Sequence, residues 1–478
     1  MISFFSGIII LLLGYFLYSK YLVRLFGVEP HRATPAIASS DGVDFMPLPT
    51  WKVFLIQLLN IAGLGPIFGA IQGALFGPVA FVWIALGSVF AGAVHDYMSG
   101  MISVRHNGAS LSEVQGIYLG KAVQQIMRVF TVGMLVLVGV VFVTGPAKLL
   151  AILTPDSLNV TFWVVAIFAY YFLATVLPID AVIGRLYPVF GIALVVMALG
   201  VGGGIVMGGY TIPEITLANL HPKGLPLFPM LFITIACGAI SGFHATQSPM
   251  MARCMQNEEN GRSVFYGAMI AEGIIAMVWA AAGMAFYQGI PGLAEALAAG
   301  GPSAVVHTIT TSLLGPAGGV LAMLGVIACP ITSGDTAFRG ARLMLADTFK
   351  IQQLAIPKRL LMASPLFAVG IGLTFINFDI IWRYFAWGNQ TLAAVTLWAV
   401  SMYLVKNGKP HWTSTVPALL MTAVTCSYLL QAKEGFMLPA ALSNGVGTLI
   451  AAAVLALFLQ KAKAAGHTAD QTVLRKAG

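Results

Sequence analysis

Charge is what this sequence has least of. Only 9% of its 478 residues are Asp, Glu, Lys or Arg, where a soluble domain carries about 25%. That is too little polar material to cover a surface facing water. Cysteine is scarce as well. Cys237, Cys254, Cys329 and Cys426 stand singly in apolar stretches with no Cys-x-x-Cys spacing, which excludes a disulfide framework or zinc ribbon and leaves buried free thiols. A His-Glu-x-x-His zinc motif and a Gly-x-Ser-x-Gly nucleophile elbow are both missing, so neither familiar hydrolase signature applies. Residues 2–18 have no basic residue ahead of their apolar run and no small-residue cleavage signal after it. They are expected to stay as a helix and not to leave as a signal peptide.

Apolar surface, by contrast, is abundant. Hydrophobic residues make up 58% of the chain and 52 positions are glycine. Runs of about 20 apolar residues, each long enough for a ~30 Å hydrocarbon core, recur along it. Glycine suits the close packing of helices in lipid. The runs predict spans at 2–19, 51–76, 78–102, 122–145, 160–178, 186–209, 229–247, 264–287, 316–338, 358–377, 382–405, 413–430 and 439–460, thirteen in all. An odd number puts the termini on opposite sides. With the N-terminus outside, only Lys148, Lys223, Arg383 and Lys433 of the 25 Lys and Arg fall in outer segments. Basic residues favour the cytoplasmic side, so the C-terminus is expected there. The formal charge of +8 is then a topology signal that needs no nucleic-acid partner, and lipid is the surrounding medium. Trp51, Trp83, Trp163 and Trp382 fall near span ends, as interfacial belts would.

Two spans are interrupted. The first contains Asn60-Ile-Ala-Gly-Leu-Gly-Pro66; the second contains Cys237-Gly-Ala-Ile-Ser-Gly-Phe-His-Ala-Thr-Gln-Ser-Pro249. Broken helices free backbone groups that lipid cannot satisfy, so such breaks are tolerated where they line a cavity inside the protein. They lie five spans apart and cross in opposite directions. That is the pattern of two five-helix repeats inverted about an axis in the membrane plane, at 51–209 and 210–405. Residues 1–50 would add one helix and a linker, and residues 406–478 two helices and a tail. The plainer reading is a pair of kinked helices.

Five stretches bear a family likeness: Pro49 to Pro66, Gly92-Ala-Val-His-Asp-Tyr97, Gly242-Phe-His-Ala-Thr-Gln-Ser-Pro249, Ser333-Gly-Asp-Thr-Ala-Phe-Arg339 and Trp387-Gly-Asn-Gln-Thr391. In these the chain resembles the carbon starvation protein A (CstA) family, from first helix to last, although it is shorter than many members. The resemblance implies an all-α carrier of the bacterial inner membrane with the LeuT-type fold of the amino acid–polyamine–organocation superfamily. It also implies uptake of peptides or pyruvate under carbon limitation.

Ionisable and polar groups at membrane depth need a reason to be there. Half-helix N-termini at the breaks present free amides that suit a carboxylate. This nominates Asn60, Gly63 and Gly65 in the first break and Ser241, Gly242, His244, Thr246 and Gln247 in the second. The alternative is that Asn60 and His244 only satisfy broken backbone. Asn389 and Gln390 either line the same path or bond across helices. For a coupling proton or sodium ion the candidates are Glu272, His95, Asp96, Asp335, Thr332 and Ser333. Glu272 lies in an apolar run where a carboxyl can exchange a proton near neutral pH. By analogy with the LeuT-type fold, Thr332 and Ser333 fall on a helix that helps hold sodium. Asp335 is also expected to pair with Arg339 at i, i+4 as a gate. His95, Asp96 and His244 offer a metal site, imidazole being a common ligand, or a proton relay. Neighbouring positions on a helix point about 100° apart, so His95 and Asp96 are not expected to clasp one ion. A rival function is an intramembrane aspartyl hydrolase using Asp96 and Asp335, though Asp335 lacks the Gly-x-Gly-Asp context. A channel or a sensor fits less well, for want of a repeated filter or an output domain.

Overall fold

The computed structural model describes residues 1–42, 44–176, 179–353 and 355–477. Lipid offers no partner for backbone amides and carbonyls, so a spanning chain must satisfy them within each helix. The described residues accordingly form helices, with one isolated β-bridge between Leu48 and Met255.

Helix α1 (Ile2–Phe26) stops at Gly27, whose φ of 73° is left-handed. Next come α2 (Thr50–Ile61) and α3 (Gly65–Phe76), bent by 54° about residues 62–64. Four helices of the first half follow: α4 (Val79–Arg105), α5 (Leu111–Leu119), α6 (Lys121–Leu153) and α7 (Val160–Val176). Helix α8 (Ile179–Met207) closes it. The second half opens with another broken pair, α9 (Leu227–Thr234) and α10 (Gly242–Ala252). It continues with α11 (Glu258–Phe286), α12 (Ile290–Phe349), α13 (Ile356–Leu373) and α14 (Phe378–Lys406). Helices α15 (Trp412–Gln431) and α16 (Ala440–Ala477) end the chain.

Nine helices among the described residues are long and apolar enough to cross a membrane, and the bent pair α2–α3 makes a tenth. Three of the thirteen expected spans are not among them. Helix α7 is short, and the expected end of that span at residues 177 and 178 lies outside the described residues. The α9–α10 span is interrupted at 235–241, and α14 carries Arg383, Asn389 and Gln390 along its length. One region has more structure than the sequence suggests. Between 287 and 316, where no span is expected, α12 already runs helically but turns sharply at Gly301 and Gly315. Both glycines have φ near 68° and both precede a proline.

Helix α12 packs along α6 and α8, and α15 pairs with α16 and α14. At the end carrying Arg105, polar ties close the bundle. Arg105 grips the buried Glu258 with two bonds of 2.5 and 2.8 Å, and the Glu29 amide donates to the same carboxylate at 2.9 Å. At the other end, the Met1 ammonium and the Ser3 hydroxyl bind the exposed Glu214 carboxylate and hold it down to about 2.

Candidate functional site

Each break leaves carbonyls that the helix itself cannot satisfy, and neighbouring helices supply the donors. At the first, Ser333 Oγ donates to the Leu59 carbonyl at 2.9 Å and Cys329 Sγ to the Ala62 carbonyl at 2.8 Å. At the second, Trp83 Nε1 donates to the Ile235 carbonyl, Ser88 Oγ to that of Gly238 and Gln390 Nε2 to that of Phe232, each at 3.0 Å. Trp83 is therefore buried scaffolding and not part of an interfacial belt. The same holds for Trp382, which packs on Phe378 and Phe385. Trp51 alone of the four is largely exposed.

Asn389 has a defined task. Its Oδ1 accepts from the Phe243 amide at 2.7 Å, and its Nδ2 donates to Ser241 Oγ at 2.9 Å. A side-chain oxygen on an early amide is the N-cap interaction, here supplied from another helix. The α10 N-terminus expected to meet a substrate is thus already capped in this state. Gly242 permits the approach, since a Cβ there would lie 2.5 Å from the Asn389 carbonyl oxygen.

The two breaks face each other directly. A Cβ on Gly65 would overlap the Cys237 side chain, and one on Gly238 would lie 3.6 Å from Pro66 Cα. Phe142 from α6 lies across both, against Gly63 and edge-on to Phe243. It continues through Phe385 and Trp382 to Phe68 as a run of aromatic contacts. Beside this closed junction, Asn60 and Gln57 are fully buried, with no hydrogen bond on either end of their side chains among the described residues. Thr246 Oγ1 bonds its own helix at the Phe243 carbonyl, and Gln247 donates to Thr246 while its Oε1 stays unpaired. The chain pattern singled out Asn60 but not Gln57, one helical turn earlier, nor Phe142 or Cys329. Each looks like ordinary helix filling until the breaks are seen beside it.

Inside the bundle, four titratable side chains from three helices form a chain. His95 Nδ1 lies 2.7 Å from Asp96 Oδ1, His244 Nδ1 lies 2.8 Å from Asp96 Oδ2, and His244 Nε2 lies 3.3 Å from Glu272 Oε2. All four are fully buried. His95 and Asp96 bond each other directly, the imidazole folding back onto its neighbour's carboxylate. Three members are those named for a metal, but each ring spends Nδ1 on the carboxylate. No group of three His, Cys, Asp or Glu among the described residues converges as metal ligands would.

Asp335 does not pair with Arg339. Its Oδ2 accepts from Tyr187 at 3.1 Å, and the Tyr187 hydroxyl also reaches the Thr332 carbonyl. Arg339 turns instead to the Ala174 carbonyl at 2.8 Å. Among the described residues no ion pair within 4 Å joins the two, and Asp335 Oδ1 has no hydrogen-bond partner. Thr332 Oγ1 bonds its own helix at the Cys329 carbonyl. Asp96 and Asp335 share no partner, so they do not form the proton-sharing dyad that an aspartyl hydrolase needs.

A cavity of about 1050 Å³ opens at the end carrying Arg105, Lys121, Arg253 and Lys350. A smaller one of about 30 Å³ shares Arg253 and Asp347 with it and reaches Thr246 on α10. Lys406, at the same end of α14, donates to the Ile117 carbonyl at the cavity wall. Trp382 and Phe385 lie near the other end of α14, so the aromatic run covers the breaks from the opposite side.

The order of broken pair plus four spans, twice, has counterparts of known structure. MhsT in complex with L-phenylalanine superposes with a TM-score of 0.54 at 15% identity, over 85% of this chain and 98% of its own. The fold is thus that of LeuT-type secondary transporters. An uncharacterised membrane protein of Haemophilus influenzae is 44% identical over 352 residues, 63% of this chain and 95% of that protein. The peptide transporter CstA of Campylobacter jejuni is 24% identical, over 88% of this chain and 78% of its own. The pyruvate/proton symporter BtsT of Escherichia coli is 28% identical, over 57% and 47% respectively. The family model for carbon starvation protein CstA matches in three consecutive, overlapping segments, 1–156, 148–290 and 281–428. With the broken helices in place and the likeness running through both halves, the chain belongs to the carbon starvation protein CstA family.

Proposed function

We propose that this protein is a secondary active transporter of the bacterial inner membrane. It imports a small carboxylate-bearing solute, a peptide or pyruvate, by alternating access with a coupling ion. The observation that carries the reading is the junction of the two breaks. It is covered by aromatic rings on one side and approached by a basic vestibule on the other. That is the shape of a carrier closed to one face and open to the other. The relatives' names supply the substrate class.

In this reading the Arg105 end is cytoplasmic, as the distribution of Lys and Arg favours, and the N-terminus lies outside. Asn60 and Gln57 hold unused donors beside Gly63 and Gly65, where a carboxylate would find them once the breaks part. Asn389 releases the Phe243 amide in that step. A proton is favoured over sodium as the coupling ion, because the buried polar centre is built from titratable groups. Thr332 and Ser333, the residues named for sodium, already spend their hydroxyls on the Cys329 and Leu59 carbonyls.

The test is uptake into sealed vesicles of radiolabelled pyruvate and of a dipeptide, with imposed pH or sodium gradients. Accumulation of one of them driven by the pH gradient supports the proposal. Uptake indifferent to both gradients removes the coupling, and no uptake of either solute removes the substrate class.

A further inference from the structure

The chain His95–Asp96–His244–Glu272 can be counted in protons. Asp96 sits between two imidazole Nδ1 atoms, 2.7 and 2.8 Å away, on its two oxygens. As a carboxylate it accepts from both rings, so each carries its hydrogen on Nδ1. The other nitrogen of His244 then has only a lone pair unless a second proton is bound. That nitrogen faces Glu272 Oε2 at 3.3 Å. Neither Glu272 oxygen makes an aligned hydrogen bond, and neither does His244 Nε2. The contact has ion-pair distance without hydrogen-bond alignment.

With no proton between them, a carboxylate would face a ring lone pair inside a fully buried site, which is repulsive. With one proton, held as a carboxylic acid donating to the ring or as an imidazolium beside a carboxylate, the contact is attractive. We infer that His244 Nε2 and Glu272 Oε2 share the single coupling proton, and that its loss drives α10 away from α11. The inference rests on the transport reading above and names the coupling site within it.

The surroundings make this pair the one able to respond. The other charged or titratable groups facing it are Asp96 and His95 on α4 and the thiols of Cys237, beside the second break, and Cys329 on α12. No lysine or arginine pairs with Glu272 among the described residues, so no side-chain cation other than a protonated His244 neutralises it. His244 lies in the first turn of α10, directly after the break, and the Ser248 hydroxyl holds its carbonyl at 3.0 Å. A push on this ring therefore acts on the half-helix that must move when the breaks part. The vestibule end of α4 is the side to which import releases the proton. Asp96 lies nine residues from Arg105, about 14 Å at 1.5 Å per residue.

The experiment has two readouts on purified protein in liposomes. The first is the infrared carbonyl stretch of a protonated carboxylic acid, followed with pH. We expect a titrating band in the wild type that Glu272→Gln lacks and that His244→Gln shifts in frequency. The second is accumulation of pyruvate or dialanine with the membrane potential clamped. One-to-one symport gives about tenfold accumulation per pH unit. Glu272→Gln should fall to no net accumulation, while exchange of labelled for unlabelled solute, which moves no net proton, still proceeds. A band that survives in Glu272→Gln, or tenfold accumulation in that variant, overturns the inference. Wild type that accumulates neither probe defeats the transport reading, and the infrared band then decides the proton site separately.

Discussion

Substituting Gly65→Ala tests whether the two breaks touch. The added methyl would overlap the Cys237 side chain and lie 2.5 Å from its sulfur. Non-bonded heavy atoms favour about 3.5–4.0 Å, so the segments must part by more than about 1 Å. Cys237 cannot yield easily, because the carbonyls on either side of it are held by Trp83 and Ser88. Forcing a methyl into a packed site costs about 1–3 kcal/mol. Replacing Gly by Ala in a helical stretch returns up to about 1 kcal/mol. The expected net loss is about 1–2 kcal/mol, read from thermal unfolding of the purified protein in detergent. Cys237→Gly alone forfeits the weak thiol contacts to Ser241 and Asn389, which costs about 1 kcal/mol. Combined with Gly65→Ala it removes the overlap, so the double variant should be less damaged than the sum of the two. Independent sites add to within about 0.5 kcal/mol. A double variant that is simply additive would refute the direct contact of the breaks.

Asn389→Ala strips the cap from α10, leaving the Phe243 amide without its acceptor and the Ser241 hydroxyl with only the weak Cys237 thiol contact. A loss of about 1–2 kcal/mol is expected, with faster hydrogen exchange at the start of α10 as the check. Asn60→Ala and Ser241→Ala should each weaken substrate binding about tenfold or more, the scale of a hydrogen bond to a charged group. Equilibrium binding with unchanged affinity in both would remove the proposed docking of a carboxylate at the breaks. Glu258→Ala leaves Arg105 with only Glu29 and the Gly27 carbonyl, and the Glu29 amide without its acceptor, and should cost about 1–3 kcal/mol; a variant as stable as wild type would show that the polar ties at that end do not hold the bundle.

Much of the site was legible because helix breaks have a chemical signature. Gly63, Gly65, Pro66 and Gly238 cannot sit quietly in lipid-facing helices, so their positions mark the two places where the backbone must be served by other parts of the protein. Buried ionisable residues such as Asp96, His244 and Glu272 were visible for a related reason, since each is costly in an apolar run. What serves the breaks was not visible. Trp83 reads as a belt residue, Cys329 as filler and Asn389 as one of several polar positions, because a donor's role depends on which carbonyl it meets. The Asp335–Arg339 pair failed on the same ground. Spacing of i, i+4 makes the pair possible, but Tyr187, distant in sequence, reached the carboxylate instead.

Composition and order along the chain thus determine that this is a membrane-embedded bundle, where its backbone is interrupted, and that two similar halves follow one another. Lipid enforces those features locally, segment by segment, through hydrogen bonding and apolar length. Only the tertiary structure decides that the interruptions meet, that Asn389 caps one of them, and that four titratable side chains join into a proton-bearing chain. Those contacts depend on distances between helices far apart in sequence, and no local periodicity encodes them.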